Sequence, residues 1–190
     1  MTAIHELLSR RWSPRAFAPR AVESATLRAL FEAARWAPSC YNDQPWAFVV
    51  TRREQDSAYQ QLLSCLMPAN QAWAATAPLL ILTTARKVFA HNGQAHRWAW
   101  YDLGQAVGNL LCEATSLGLC AHQMAGFDAA QAHSALQMPE DYDAVAVMAL
   151  GYLGDPGLLP SGVEEKSPDK RERRPLAEFV YAGAWQRALD

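Results

Sequence analysis

Apolar residues in the chain recur at two distinct spacings. Leu27, Leu30, Phe31 and Ala34 follow the i, i+3, i+4, i+7 rule, which puts them on one face of a helix over residues 25–36, and Pro38 ends it. A shorter helix is predicted over 3–10, with Ile4, Leu7 and Leu8 on one side, and another around Tyr59, Leu62, Leu63 and Leu66. Residues 46–51 read as a strand. Residues 79–84 and 144–153 are apolar runs of the kind that form strands buried on both faces. A long helix is predicted from about Trp98 to Leu117. Its apolar residues Tyr101, Val107, Leu110, Leu111 and Ala114 lie on several faces, so it should be the most buried helix, and Gly118 fits its C-terminal cap. Residues 120–124 read as extended, and Asp128 with Gln131 makes a capping pair for a following helix.

The polar stretch 85–97, with His91, Asn92, Gly93, Gln94 and His96, reads as a mobile loop. Between Gly154 and Pro175 the composition turns to proline, glycine and dense charge, the signature of an extended arm. Residues 176–180 are apolar enough to form a strand that docks elsewhere. Helices and strands mix without a regular βαβ rhythm, which predicts an α+β fold with a small central sheet wrapped by helices. An arm of some 20 extended residues spans about 60 Å at most, long enough to leave its own subunit, so an intertwined dimer is expected.

At 190 residues the chain is read as one domain over 1–190, with 154–190 as its arm. Hydrophobic residues make up 51%, enough for a packed core, and the formal charge of -2 removes the basic excess a nonspecific nucleic-acid binder needs. No apolar run approaches a membrane span, and the opening MTAIHELLSRRW lacks the apolar stretch of a secretory signal, so the cytoplasm is the expected compartment. Cys40, Cys65, Cys112 and Cys120 form no C-x-x-C pair and have no histidines at metal spacing. The chain contains no P-loop, no G-x-G-x-x-G, no G-x-S-x-G and no H-E-x-x-H.

Four clusters remain. Arg10, Arg11, Ser13, Arg15 and Arg20 lie in a stretch with no acidic residue between Glu6 and Glu23. They are either a solvated helix end or a clamp for an anion. Lys170, Arg171, Arg173 and Arg174 form a second basic run, either solvated or, by alternation in an extended segment, turning Arg171 and Arg173 to one side. Ser39, Asn42 and Gln44 crowd the turn between a buried helix and a buried strand, where hydroxyl and amide groups match the edges of a heterocycle. In 122–128 a strand ends in small residues and Gly126, which lets backbone approach a flat ligand.

In this order, R-x-S-x-R at Arg11–Arg15, P-S-x-x-N-x-Q-P-W at Pro38–Trp46, A-G-F-D at Ala125–Asp128 and R-x-R-x-P-L at Arg171–Leu176 resemble the FMN-dependent nitroreductase family. Ala69–Trp73 ahead of Ala77–Pro78, and Asp102–Leu111 in the long helix, extend the resemblance nearly end to end. The resemblance implies a nitroreductase-like fold with a central, mostly antiparallel sheet. It also implies a homodimer with two FMN sites at the subunit interface and a C-terminal arm exchanged between copies.

By the same resemblance Arg11, Trp12, Ser13 and Arg15 should contact FMN, with Arg11 near the phosphate and Arg15 near the N1/O2 edge of the ring. Arg171 and Arg173 should complete the phosphate site. Pro38, Ser39, Cys40, Asn42 and Gln44 should arrive from the other subunit, and backbone at Met124, Ala125 and Gly126 should line the ring, with Asn70 a further candidate. The implied activity is ping-pong: NADH or NADPH passes a hydride to FMN N5 and leaves, and a nitroaromatic, quinone or free flavin then takes the electrons. A flavin reductase serving a partner monooxygenase and a non-enzymatic flavin-holding protein are the alternatives. With FMN carrying the chemistry, no catalytic side chain or metal is required. Trp98, Trp100 and Tyr101, with His96, either cover this site or, for at least one tryptophan, pack the core.

Overall fold

A computed structural model describes residues 4–54 and 57–189, which leaves Ala3, at the start of the first predicted helix, outside the described residues. Four strands, β1 (Trp46–Arg52), β2 (Leu79–Arg86), β3 (Leu119–Met124) and β4 (Tyr142–Tyr152), form one sheet in the order β1-β2-β4-β3. Every pairing is antiparallel. The two apolar runs are the central strands, as their composition requires: neither has a face left for water.

Alternation along these strands sorts their side chains into two cores. Leu80, Leu82, Val147 and Ala149 face one layer, with Tyr59, Leu62 and Trp73 from α3 (Ser57–Ser64) and α4 (Pro68–Ala74). Leu79, Ile81, Met148 and Leu150 face the other, with Leu30 of α2 (Ser24–Arg35) and Leu110 of α5 (Ala99–Ser116). A short α1 (Glu6–Arg10) lies against α5, and α6 (Ala129–Ala135) lies against β4. Asp128 caps α6 by accepting the Gln131 N–H at 2.9 Å, which is half of the expected capping pair; the Asp128 N–H goes instead to the Cys65 carbonyl. Gly118 closes α5 with φ +73°, a conformation that disfavours any side chain.

Residues 16–18 cross the end of β4, bonding through Gly154 N–H to Ala16 O and Ala18 N–H to Tyr152 O. A Cβ on Gly154 would lie 2.4 Å from the Phe17 carbonyl carbon, so this glycine is required by close backbone approach.

Three expectations need correction. Stretch 87–96 is an anchored hairpin rather than a mobile loop. Val88 bridges Ala95, His96 N–H bonds to Lys87 O, and the Asp43 carboxylate takes the Ala90 N–H. Residues 176–180 hold a 3-10 turn over Leu176–Glu178 rather than a strand, and among the described residues none of the four strands pairs with them. The arm is extended, but its first half stays on its own subunit. Glu165 and Arg171 bind it to residues 9–16.

Candidate functional site

The segment Arg11–Arg15 runs along β3, an edge strand. His122 of β3 holds it there by donating Nδ1–H to the Pro14 carbonyl at 2.9 Å, with the Trp73 ring 4.5 Å away behind it. Burial depresses the His122 imidazole below its ordinary range, and the bond to the Pro14 carbonyl selects the Nδ1–H tautomer of the neutral ring. Arg11 and Trp12 then line a groove of about 260 Å³ with Leu111 and Thr115 of α5 and Cys120 of β3.

The C-terminal arm returns to this segment. The Glu165 carboxylate accepts the backbone N–H groups of Arg15 and Ala16, each at 2.8 Å. Six residues later Arg171 donates through Nη1 to the Arg11 carbonyl and through Nη2 to the Ser9 carbonyl. Arg11, Arg171 and Arg173 therefore gather from opposite ends of the chain. Burial lowers the Arg11 guanidinium below its ordinary value, and the charges of Arg171 and Arg173 lower it further. Among the described residues no carboxylate pairs with any of the three. Arg11 Nη1 lies 3.4 Å from the Ser13 hydroxyl, and Arg15 Nη1 donates to the Glu164 carbonyl. Arg15 Nε is buried with no acceptor.

Met124 is buried at the end of β3, Ala125 is exposed and Gly126 is half-buried at the turn that follows. Asn70 donates Nδ2–H to the Gly126 carbonyl at 3.0 Å, and a Cβ on Gly126 would come within 2.8 Å of that same nitrogen. The Asn70 amide thus fixes the shape of the 124–126 backbone.

The turn carrying Pro38, Ser39, Cys40, Asn42 and Gln44 lies elsewhere, at the N-terminal end of α5. Cys40 N–H donates to Asp102, and the Gln105 amide reaches the Pro38 carbonyl. Ten residues of helix separate Asp102 from Cys112 beside Arg11, about 15 Å at the α-helical rise. Within one chain the two halves of the predicted site do not meet. The turn itself is tightly wound: Tyr41, Asn42 and Gln44 all have positive φ. The Ser39 hydroxyl accepts the Gln44 N–H, and the Gln44 side chain donates to the Asn42 carbonyl.

The family model for the nitroreductase family matches residues 8–152, most of the chain. The chain belongs to the nitroreductase family. A 15.4 kDa protein from Mycolicibacterium smegmatis is 35% identical over 127 residues, covering 67% of this chain and 84% of that one. A protein named NADH dehydrogenase from Thermus thermophilus is 29% identical over 180 residues, covering 78% and 85%. Among solved structures, an oxidoreductase described as containing FMN superposes with a TM-score of 0.87 at 29% identity, covering 97% of this chain and 93% of that one. A protein from Desulfovibrio desulfuricans solved in complex with FMN superposes at 0.75 with 25% identity, covering 95% and 96%.

On this nitroreductase framework several positioning groups carry no local sequence signal. Glu165 sat inside a charge run with nothing to mark it, and its partners are 149 and 150 residues away. His122 was legible only as part of a strand end. Trp98 and Trp100 are about half exposed, so neither packs the core, and Trp100 Nε1 donates to Asp143. His96 is fully buried and so cannot cover anything. Among the described residues no helix is long and apolar enough to cross a membrane, and no group of histidine, cysteine and carboxylate side chains could hold a metal.

Proposed function

We propose that this nitroreductase is an FMN-dependent oxidoreductase that draws electrons from NADH or NADPH and delivers them to small oxidised acceptors, nitroaromatics and quinones among them. The observation that carries the reading is the meeting of Arg11, Arg171 and Arg173 with no carboxylate paired to them. Like charges held together destabilise the folded chain unless an anion sits among them, and a phosphate dianion meets that need with charge-assisted hydrogen bonds. The buried, partnerless Arg15 Nε–H adds a donor that an acceptor atom on a ligand would satisfy. The FMN complex of the Desulfovibrio protein and the name of the Thermus protein support the same cofactor and electron donor.

In this reading Arg11, Arg171 and Arg173 hold the phosphate, with Ser13 and Trp12 beside them. Arg15 meets the polar edge of the ring, and the backbone of Met124, Ala125 and Gly126, shaped by Asn70, lines it. When bound, FMN supplies the redox chemistry, taking two electrons from the nicotinamide and returning them to the acceptor. The side chains bind, orient and neutralise charge.

The site is completed by a second copy, whose turn brings Pro38, Ser39, Cys40, Asn42 and Gln44. Two observations support a homodimer. Gly104 and Gly108 leave open space on one strip of α5 beside the exposed Tyr101, a surface smooth enough for close helix approach. Past Arg173 the arm exposes Leu176, Phe179 and Trp185, and a partner's surface would cover them. Exchange of the arm is accordingly assigned to residues 174–189. We place the enzyme in the cytoplasm, with no nucleic-acid or membrane partner.

The test is anaerobic reduction of the FMN-loaded protein by NADH and by NADPH, followed by steady-state rates with nitroaromatics, quinones and free flavins. Rapid reduction with turnover of nitroaromatics or quinones supports the proposal. Preference for free FMN identifies a flavin reductase feeding a monooxygenase. Negligible reduction by either nicotinamide identifies a flavin-holding protein and overturns the enzymatic reading.

A further inference from the structure

The turn 39–44 is wound against its own preferences, with three non-glycine residues in the left-handed region. Besides the bonds within the turn, groups outside it hold it through Cys40 and Asp43. Beneath it lies a cluster of charged side chains that the binding reading does not use. The Asp43 carboxylate, on the turn, is 3% exposed; it accepts Arg86 Nη2 at 2.8 Å and the Ala90 N–H at 2.9 Å. The Asp102 carboxylate, in the first turn of α5, is also 3% exposed and accepts the Cys40 N–H at 3.0 Å. Between them sits His96, whose side chain is 0% exposed, with Nε2 3.7 Å from Asp43 Oδ2 and 3.6 Å from Asp102 Oδ2. The Phe89 ring stacks on the imidazole at a centroid distance of 3.9 Å and fixes its plane.

Two buried carboxylates face the same ring, and Arg86, at 2.8 Å, and the exposed His91 ring, at 3.9 Å, lie against only one of them, Asp43. Among the described residues neither nitrogen of His96 has a hydrogen-bond partner, so the two carboxylates act on the ring through charge at ion-pair distance. A polar ring taken wholly out of water needs a compensating interaction, and here the two carboxylates offer it. These three side chains connect three segments: the turn through Asp43, α5 through Asp102, and the 87–96 hairpin through His96.

We propose that His96 is a positioning residue: clamped between Asp43 and Asp102, it holds the turn in the conformation that presents Ser39, Asn42 and Gln44 to the flavin of the partner copy. The inference rests on the flavin reading above for its purpose, but not for its geometry. Without the imidazole, the two carboxylates face each other with no donor between them. The turn then relaxes toward ordinary backbone angles and withdraws its polar groups from the site.

The test compares full-length wild type with His96→Ala, His96→Gln, Asp102→Asn and Arg173→Ala. Hydrogen exchange of the segment 39–45 reports the turn, and fluorescence titration of the apo-protein with FMN reports the site. His96→Ala should speed exchange in 39–45 while β2 and β4 keep their protection. It should also raise the FMN dissociation constant roughly tenfold, the scale of one lost interaction with a charged group. His96→Gln, which keeps a donor, should recover most of both. Asp102→Asn keeps an acceptor for Cys40 but loses the charge, so it should loosen the turn in a folded protein and decides the matter if His96→Ala fails to fold. Arg173→Ala should weaken FMN binding and leave exchange of the turn unchanged. Unchanged exchange and FMN affinity in His96→Ala or Asp102→Asn would overturn the clamp. A wild type that binds no FMN would defeat the flavin reading, and exchange of 39–45 would still judge the clamp.

Discussion

Replacing Glu165 by alanine removes one carboxylate that binds the arm to the N-terminal segment. The Arg15 N–H reaches it at 2.8 and 3.0 Å and the Ala16 N–H at 2.8 Å, and Ala16 is 3% exposed. The third bond, from Lys166 N–H, is exposed and water replaces it. Hydrogen bonds to a charged group contribute about 1.5–3 kcal/mol each, so losing two part-buried ones sums to about 3–6 kcal/mol. Partial access of water to Arg15 and relaxation of the arm bring the expected loss to about 2–4 kcal/mol. Glu165→Gln keeps a neutral acceptor and should cost about half as much. Urea unfolding of the apo-protein, followed by both fluorescence and circular dichroism, measures the change. Because Glu165 anchors the arm that carries Arg171 to the Arg11 and Ser9 carbonyls, FMN affinity should fall as well. An alanine variant within about 0.5 kcal/mol of wild type, the range of an ordinary surface substitution, would refute the assignment of Glu165 as the anchor of the arm.

Among the described residues Arg173 donates to the neighbouring Glu172 carbonyl alone and adds charge beside Arg11, so Arg173→Ala should not lower the stability of the apo-protein and should weaken FMN binding by about 1.5–3 kcal/mol in an equilibrium titration. Unchanged affinity would make it a solvated charge. The Tyr59 hydroxyl is buried and donates to the Ala77 carbonyl at 2.8 Å, with the Ala74 carbonyl of α4 at 3.1 Å, so Tyr59→Phe should cost about 0.5–1.5 kcal/mol in denaturant unfolding. Burial pushes its phenol up to about 12, so the unfolded chain releases this proton first; wild-type stability should fall from pH 10 toward 12, and Tyr59→Phe should remove that part of the fall. The His122 imidazole is held below 6.5, so the unfolded chain binds a proton that the folded chain refuses; stability should drop as pH falls below about 6.5, and His122→Gln should flatten that slope in thermal melts.

The elements that the sequence predicted well are those whose pattern is local and long. The runs at 79–84 and 144–153, read as strands buried on both faces, are the two central strands, and the spacing of Leu27, Leu30, Phe31 and Ala34 describes α2 to within a residue at each end. By contrast α4, from Pro68 to Ala74, is too short to establish a period, so nothing in the apolar pattern announced it. The hairpin 87–96 read as a loop because its anchors, Asp43 and Asp141, come from distant segments. Leu176–Val180 has strand composition, but a strand is defined by its neighbour, and among the described residues of one chain there is none.

The site divides in the same way. The arginine clusters were visible as residue types, and their meeting depends on Glu165, His122 and Arg171 binding segments some 110–160 residues apart. The turn 38–44 was visible as a motif, while the buried charges beneath it were not, since Asp43, His96 and Asp102 share no spacing. Gly151 and Gly154, which fit no nucleotide motif, are explained by packing: a Cβ on either would collide with Pro78 or Phe17.

The central claim, that arginines from the two ends of the chain close on one mononucleotide at a site shared by two copies, is tested most directly by light scattering coupled to size exclusion. The chain is loaded with FMN and read simultaneously by flavin absorbance. The account predicts a yellow dimer of 42 kDa, twice the 21.0 kDa chain mass, carrying two FMN. A colourless protein that takes up no added FMN, or a monomer that binds FMN fully, would contradict it.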